Sequence, residues 1–111
     1  MHVIEIERGP EASIVLAQGE LDAFAAQDIT ASFEQVSGSH RVVADLSAVS
    51  FLDSTALGLL VRAVRELRER GAGVRVVLPT GTAARIFEIT TLDLVLPISG
   101  SRAEAIAELR G

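Results

Sequence analysis

The chain has 111 residues, of which 49% are hydrophobic, and its 10 basic and 15 acidic side chains give a net charge of −5. That length predicts one domain over residues 1–111, and the hydrophobic fraction is enough for a packed core, which excludes a disordered chain. The absence of cysteine excludes disulfides, thiolate metal sites and thiol nucleophiles. The acidic balance, without a basic stripe, argues against nucleic acid as a partner.

Other features of the sequence concern its cellular location and cofactors. Glu5 and Glu7 interrupt the first apolar residues, so we expect no signal peptide. No segment reaches the roughly 18 apolar residues of a membrane helix, so we expect no membrane partner. No His/Cys/Asp cluster has the spacing of metal ligands, and we expect neither metal nor cofactor. The sequence therefore favours a cytoplasmic protein.

The first third of the chain predicts a hairpin followed by a helix. Val3–Glu7 and Ser13–Gln18 are predicted strands joined by a Gly-Pro turn, and the second is apolar on both faces, as in a central strand. Leu21–Val36 is predicted to be helical, with Asp22 capping its start. The apolar positions that recur there near a 3.6-residue period are Phe24, Ile29, Phe33 and Val36.

The rest of the chain continues the alternation of strand and helix. Arg41–Leu46 is a predicted strand, and Ser54–Arg70 is a predicted helix, capped by Asp53 or Ser54 and ended by Gly71. Its apolar stripe consists of Leu57, Leu60, Val61, Val64 and Leu67. The remaining predicted elements are a strand at Val74–Leu78, a helix at Thr82–Ile89, a strand at Leu94–Leu96 and a helix at Arg102–Leu109. The order ββαβαβαβα predicts an α/β fold whose mixed, mostly parallel sheet is linked by helical crossovers.

This topology places several polar residues at one edge of the predicted sheet. Residues 19–22 follow the second strand, residues 53–55 follow the third, and residues 80–82 follow the fourth. The carboxyl ends of parallel strands share one edge, where sites of open α/β sheets lie. We therefore expect Asp22 and Ser54 to be neighbours, although 32 positions separate them.

Ser54 stands at a predicted helix start, which favours negative charge because its first N–H groups lack intrahelical acceptors. A phosphate on Ser54 would find backbone donors there. The residue types alone favour a simpler interpretation for Ser54, Asp53 and Asp22: each is a helix cap worth about 1 kcal/mol.

Two motifs favour a functional role for these residues over plain helix capping. Phe51–Gly58, with the sequence Phe-Leu-Asp-Ser-Thr-Ala-Leu-Gly, resembles the signature of the anti-sigma factor antagonists, which are STAS-domain proteins. In that signature a hydrophobic pair precedes Asp-Ser-Ser/Thr-Gly-Leu-Gly, and the serine after the aspartate, matched by Ser54, is phosphorylated. Gly19–Asp22 is similar to the family's Gly-Glu-Leu-Asp segment, whose aspartate lies near that serine. Arg85–Leu92 resembles a structural segment of the family more weakly.

The sequence departs from the family pattern at two glycines, which are Ala56 and Thr91 here. We expect the methyl group of Ala56 to lie beside the surface that faces the partner and to affect partner specificity. If Thr91 stands where the family needs a positive φ, its turn is strained.

The resemblance implies a single STAS domain that binds an anti-sigma factor, which is also a serine kinase, and is switched off by phosphorylation of Ser54. A phosphatase reverses the switch, and the domain thereby regulates sigma-factor-dependent transcription. ATP belongs to the kinase, so the resemblance implies neither an enzyme nor a cofactor here. The implied partner-binding residues are Glu20, Asp22, Asp53, Ser54, Thr55 and Gly58.

Three other functions were weighed against this one. A Ser-His-Asp hydrolase would need a histidine at Ser54, but His40 precedes the third strand and should lie roughly 17–20 Å away. A nucleotide-binding module is disfavoured, because Gly71–Gly73 follows a helix and the chain has no lysine for a phosphate-binding loop. A STAS accessory or assembly subunit of a transport or signalling complex, with Ser54 as a plain cap, remains open.

Overall fold

The computed structural model describes residues 1–79 and 96–110. Within those ranges the strands are β1 (His2–Arg8), β2 (Ser13–Leu21), β3 (Arg41–Leu52), β4 (Gly73–Val77) and β5 (Ile98–Ser99). The helices are α1 (Ala26–Gln35), preceded by a 3₁₀ turn at Ala23–Ala25, then α2 (Ser54–Glu69) and α3 (Arg102–Arg110).

The five strands form one sheet in sequence order, β1-β2-β3-β4-β5. β1 and β2 are an antiparallel hairpin, whereas β2 to β5 run parallel. This confirms the predicted α/β fold and its mixed, mostly parallel sheet.

Helices cover the two faces of the sheet unequally. Helices α1 and α2 pack on one face, where Phe33 and Leu60 contribute to a large apolar core with residues of β2, β3 and β4. Helix α3 packs on the other face, where Ala105 joins a smaller cluster that includes Ile14 and Val43. Four of the five residues of the predicted α2 stripe are buried, and Val61 is half-buried.

Strand β3 continues six residues beyond Leu46, where its predicted range ended. Its pairing with β2 shifts register twice, so that β3 contains two more residues than β2 over the same length. Ser47 and Ala48 are consecutive exposed residues at the first shift, and they interrupt the alternation that marks a strand. Because of this extension, Leu52 pairs with Leu21 at the far end of both strands.

The start of the predicted helix Leu21–Val36 is wrong. Leu21 ends β2, and the regular helix begins at Ala26. Phe24 was predicted to face the core, but it is 91% exposed. The 3₁₀ turn has three residues per turn and shifts the helical phase, so that Ala25 is buried in place of Phe24.

The fifth strand was predicted at Leu94–Leu96 but lies at Ile98–Ser99. Leu96 is in a bend and packs into the core, so its apolar character reflects burial and not strand pairing. The predicted helix Thr82–Ile89, the loop at residues 80–82, the segment Arg85–Leu92, Thr91 within it, and residues 94 and 95 lie outside the described residues.

Candidate functional site

The candidate site lies where β2 and β3 end side by side. Glu20 pairs with Phe51 and Leu21 with Leu52 in the parallel register. The N–H of Asp53 donates to the carbonyl oxygen of Leu21 at 3.1 Å, which extends the pairing by one residue. After β2 the chain continues toward α1, and after β3 it continues into α2.

The carboxylate of Asp53 forms hydrogen bonds with both of the segments that follow these strands. Its Oδ1 accepts a hydrogen bond from the N–H of Ala56 at 2.9 Å and so caps α2. Its Oδ2 accepts from the N–H of Ala23 at 3.1 Å, across 30 sequence positions. Asp22 and Ser54 are the chain neighbours of Ala23 and Asp53, so the structure brings their two loops together as the topology predicted.

Ser54 is exposed and is the first residue of α2 after its cap. Two of the unpaired N–H groups expected at this helix start are already engaged, those of Asp53 and Ala56. The N–H groups of Ser54 and Thr55 have no hydrogen-bond acceptor in the described part of the chain. A negative group on the Ser54 hydroxyl would therefore meet two backbone donors and the positive end of a 16-residue helix.

Asp22 is half-buried and caps the 3₁₀ turn, because its Oδ1 accepts from the N–H of Phe24 at 2.9 Å. Its observed role is thus to shape the turn beside Asp53. Glu20 is exposed, and its Oε1 lies 2.7 Å from the amino group of Met1. The hydrogen bond from that amino group holds the pKa of Glu20 below its usual value.

Thr55 and Gly58 are both exposed on α2. Ser54 and Gly58 are four residues apart and share one helix face, whereas Thr55 is turned from Ser54 by about 100°. A Cβ on Gly58 would have no atom within 4 Å, so the fold itself does not require glycine there.

Ala56 was expected to place its methyl group beside the partner-facing surface, and this expectation is wrong. Ala56 is fully buried and belongs to the apolar core beneath α2. The helical phase set by the Asp53 cap turns position 56 inward while positions 54, 55 and 58 stay exposed.

Two exposed aromatic residues of this edge were not among the predicted site residues. Phe51 is 49% exposed beside Glu20, and Phe24 is 91% exposed on the 3₁₀ turn. Phe51 stands at the head of the Asp-Ser-Thr motif, which is a signal that sequence reasoning could have used. Nothing in the local pattern distinguishes Phe24 from a core residue.

Residues 1–79 and 96–110 contain no group of three or more His, Asp or Glu side chains placed to hold a metal ion. Within the same ranges, no helix has the length and apolar character needed to cross a membrane.

Comparison with known proteins assigns the family. The sequence profile of the STAS domain matches residues 3–105. The chain belongs to the STAS domain family. An anti-sigma-B factor antagonist of Listeria monocytogenes is 33% identical over 104 residues, which cover 91% of either chain. These matches confirm the resemblance found in the sequence and place this STAS domain among the anti-sigma factor antagonists, which are regulatory proteins.

Two solved structures have a fold similar to that of this chain. An anti-sigma factor antagonist from Mycobacterium paratuberculosis superposes with a TM-score of 0.89 at 28% identity, covering 100% of this chain and 96% of its own. The phosphorylated form of SpoIIAA, a cell fate determinant of Bacillus, superposes with a TM-score of 0.73 at 24% identity, covering 97% and 100%. At that identity the second match shows a shared fold.

Proposed function

We propose that residues 1–111 form a STAS domain that binds an anti-sigma factor with serine-kinase activity and is switched off by phosphorylation of Ser54. The domain thereby regulates sigma-factor-dependent transcription in the cytoplasm. The observation that carries this proposal is the exposed Ser54 hydroxyl at the start of α2, on a helix start fixed by Asp53. A protein of the same fold, SpoIIAA, has been solved in a phosphorylated form.

The start of α2 can accept a phosphate without rearrangement. Phosphorylation adds about −1.5 to −2 charges at pH 7. The N–H groups of Ser54 and Thr55 and the helix dipole stabilise such a charge locally. The core residues beneath α2, such as Ala56 and Leu57, face away from the hydroxyl. The modification therefore leaves the fold of the domain intact.

The same charge opposes partner binding. Asp22 and Asp53 place acidic side chains at this edge, Glu20 is paired there with the Met1 amino group, and the whole chain has a net charge of −5. A partner shaped for the neutral hydroxyl would have to bury an additional anion, and an unmatched charge at an interface costs several kcal/mol. Phosphorylation thus releases the partner through the surface of the domain.

The site residues divide into two groups in this proposal. Glu20, Ser54, Thr55 and Gly58 are exposed and contact the anti-sigma factor directly. Asp22 and Asp53 contribute to partner binding by fixing the backbone beneath that surface. The kinase supplies ATP, a phosphatase restores the hydroxyl, and the domain acts as substrate and ligand and not as an enzyme.

The proposal is tested with the purified kinase-type anti-sigma factor of the organism that encodes this chain. With ATP, mass mapping should find one phosphate on Ser54, no phosphate in Ser54→Ala, and, in Thr55→Ala, a phosphate that is still located on Ser54 whatever the change in its rate of formation. By calorimetry Ser54→Ala should bind as tightly as the wild type. Ser54→Asp should bind at least about tenfold more weakly, with an unchanged melting temperature.

Each measurement has an outcome that would contradict the proposal. Phosphate on Thr55, or labelling that survives in Ser54→Ala, would remove Ser54 as the switch. Wild-type affinity in Ser54→Asp would favour a STAS subunit that is not switched, in which Ser54 is only part of a helix start. Unfolding of Ser54→Asp would show that the charge acts through the fold and not through the surface.

A further inference from the structure

Phe24 is a large apolar side chain whose exposed position the fold does not explain. It is 91% exposed, while Ala25, the next residue, and Leu21, three residues earlier, are fully buried. An aromatic ring carries roughly 150–250 Å² of surface, so its exposure forgoes a substantial hydrophobic gain. Nothing in the folding of the domain explains why this position is Phe.

The turn that carries Phe24 is held in place by backbone hydrogen bonds. The N–H of Phe24 donates to Asp22 at 2.9 Å, the N–H of Ala23 donates to Asp53 at 3.1 Å, and the N–H of Ala25 donates to the Asp22 carbonyl at 3.0 Å. Turning Phe24 inward would break these bonds and expel Ala25 from the core. The ring is therefore presented outward on a fixed backbone, an arrangement that lowers the entropic cost of binding.

Phe24 lies on a turn that Asp53 links to the start of α2, where Ser54 stands. The carboxylate of Asp53 that caps α2 is the one that holds Ala23, so the ring and the Ser54 hydroxyl are positioned by one group. Phe51 is a second exposed ring at this edge of the sheet, on β3 beside Glu20. Apolar rings among acidic side chains are complementary to an apolar pocket bordered by basic side chains.

We propose that Phe24 is the apolar anchor of the partner surface around Ser54 and inserts into such a pocket on the anti-sigma factor kinase. This inference rests on the proposed function and adds to it the chemistry of the partner. Binding energy at protein interfaces concentrates in a few buried aromatic or arginine side chains. Phe24 is the anchor, and the phosphorylation state of Ser54 determines whether the surfaces around the ring can come into contact.

The test compares Phe24→Ala, Phe24→Leu and wild type by calorimetry against the purified kinase-type anti-sigma factor. Phe24→Ala should bind about tenfold more weakly or worse, and Phe24→Leu should fall between it and the wild type. Gln35→Ala, a change of an exposed residue at the far end of α1, is the matched control and should bind normally. All melting temperatures should stay close to that of the wild type, because position 24 is exposed.

Salt separates the anchor from the charges that surround it. The affinity ratio between wild type and Phe24→Ala should be the same at low and high salt, whereas that for Glu20→Gln should shrink at high salt. Wild-type affinity in Phe24→Ala would overturn the anchor and leave the proposed function standing. A lowered melting temperature in both Phe24 variants would also overturn it, by showing a structural role. Absence of binding by the wild type would overturn the proposed function and the anchor with it.

Discussion

The two helical layers differ in how their contacts are divided between apolar and charged side chains. On one face, α1 and α2 cover an apolar core in which residues such as Val36 and Leu60 are buried. On the other, α3 covers a smaller apolar cluster bordered by ion pairs. The arginine–carboxylate pairs of that second face are Arg102–Asp45 at 3.0 Å, Arg102–Glu7 at 2.7 Å, Arg75–Glu108 at 2.7 Å and Arg110–Glu11.

Because of this difference, we expect the stability of the two layers to respond differently to pH and salt. Burial of apolar surface does not depend on pH and is not weakened by moderate salt, whereas partly exposed ion pairs respond to both. Ser54 stands on α2, so the proposed switch belongs to the apolar layer. The α3 layer can loosen in acid while the surface around Ser54 keeps its support.

The largest expected effect is from a matched pair of leucine truncations. Leu60→Ala removes a buried side chain from the α2 layer and should lower the free energy of unfolding by about 2–5 kcal/mol. Leu109→Ala removes a half-buried side chain from α3 and should cost about 1 kcal/mol. Urea unfolding of both variants checks this, and equal losses would show that the two faces contribute alike.

The next effect concerns Asp45, the buried acid beneath α3. Its carboxylate accepts from the Ser47 N–H at 3.0 Å, from the Ser47 hydroxyl at 2.6 Å and from Arg102 at 3.0 Å. Asp45→Ala should therefore lower the free energy of unfolding by about 1–3 kcal/mol. Glu7→Gln removes the more exposed partner of Arg102 and should lower it by less than about 1 kcal/mol in the same urea experiment. Similar losses in both variants would contradict the special role of the buried acid.

We expect acid to remove the contribution of Asp45 to the free energy of unfolding. Burial acts to raise the pKa of this carboxyl, but the hydrogen bonds from Ser47 and the Arg102 pair outweigh it and hold that pKa below its usual value. The unfolded chain, with an Asp pKa of about 3.9, then binds this proton more readily than the folded chain. The stabilisation is present above about pH 4 and is lost as pH falls through the lower folded pKa.

The acid effect is measured as the difference in melting temperature between wild type and Asp45→Asn. The gap should be open at about pH 7 and should narrow as pH falls below about 4 and through the lowered folded pKa of Asp45, where its carboxylate becomes protonated. A gap that persists in acid would show that the amide disturbs packing.

The smallest expected effect is a gain. Gly58→Ala should raise the free energy of unfolding by about 0.5–1 kcal/mol, because alanine is the better helix former and its Cβ would meet no atom. The same variant should bind the anti-sigma factor more weakly if that partner approaches α2 closely. Thermal unfolding tests the expected gain in stability, and calorimetry on the same sample tests the expected loss of affinity. A gain in both properties would place Gly58 outside the contact.

The order of the elements was predictable because hydrophobic periodicity and glycine or proline punctuation are local signals. Helix α2 is the clearest case: it was predicted at Ser54–Arg70 and is observed at Ser54–Glu69. The end of β3 was not predictable, because its last six residues are aligned by register shifts against β2, which are set by the neighbouring strand. The fifth strand was misplaced for a related reason, since burial of Leu96 and pairing of Ile98 look alike in composition.

The candidate site was predictable in its location but not in its internal connections. Topology alone placed the loops of Asp22 and Ser54 at one edge of the sheet. The second hydrogen bond of Asp53, to Ala23, could not be foreseen, because a helix cap and a link between loops use the same residue type. The exposure of Phe24 could not be foreseen either, because it follows from a change of helical phase over three residues.

The link through Asp53 also has a consequence for when the site comes into being as the chain folds. Ala23 and Asp53 are 30 positions apart, and their hydrogen bond lies just beyond the last residues at which β2 and β3 pair. Contacts of such sequence separation form late, after the loop between them has been closed at an entropic cost. An incompletely folded or newly synthesised chain contains Ser54 but lacks the arrangement around it. If the proposed kinase recognises this arrangement, it distinguishes folded molecules from incompletely folded ones.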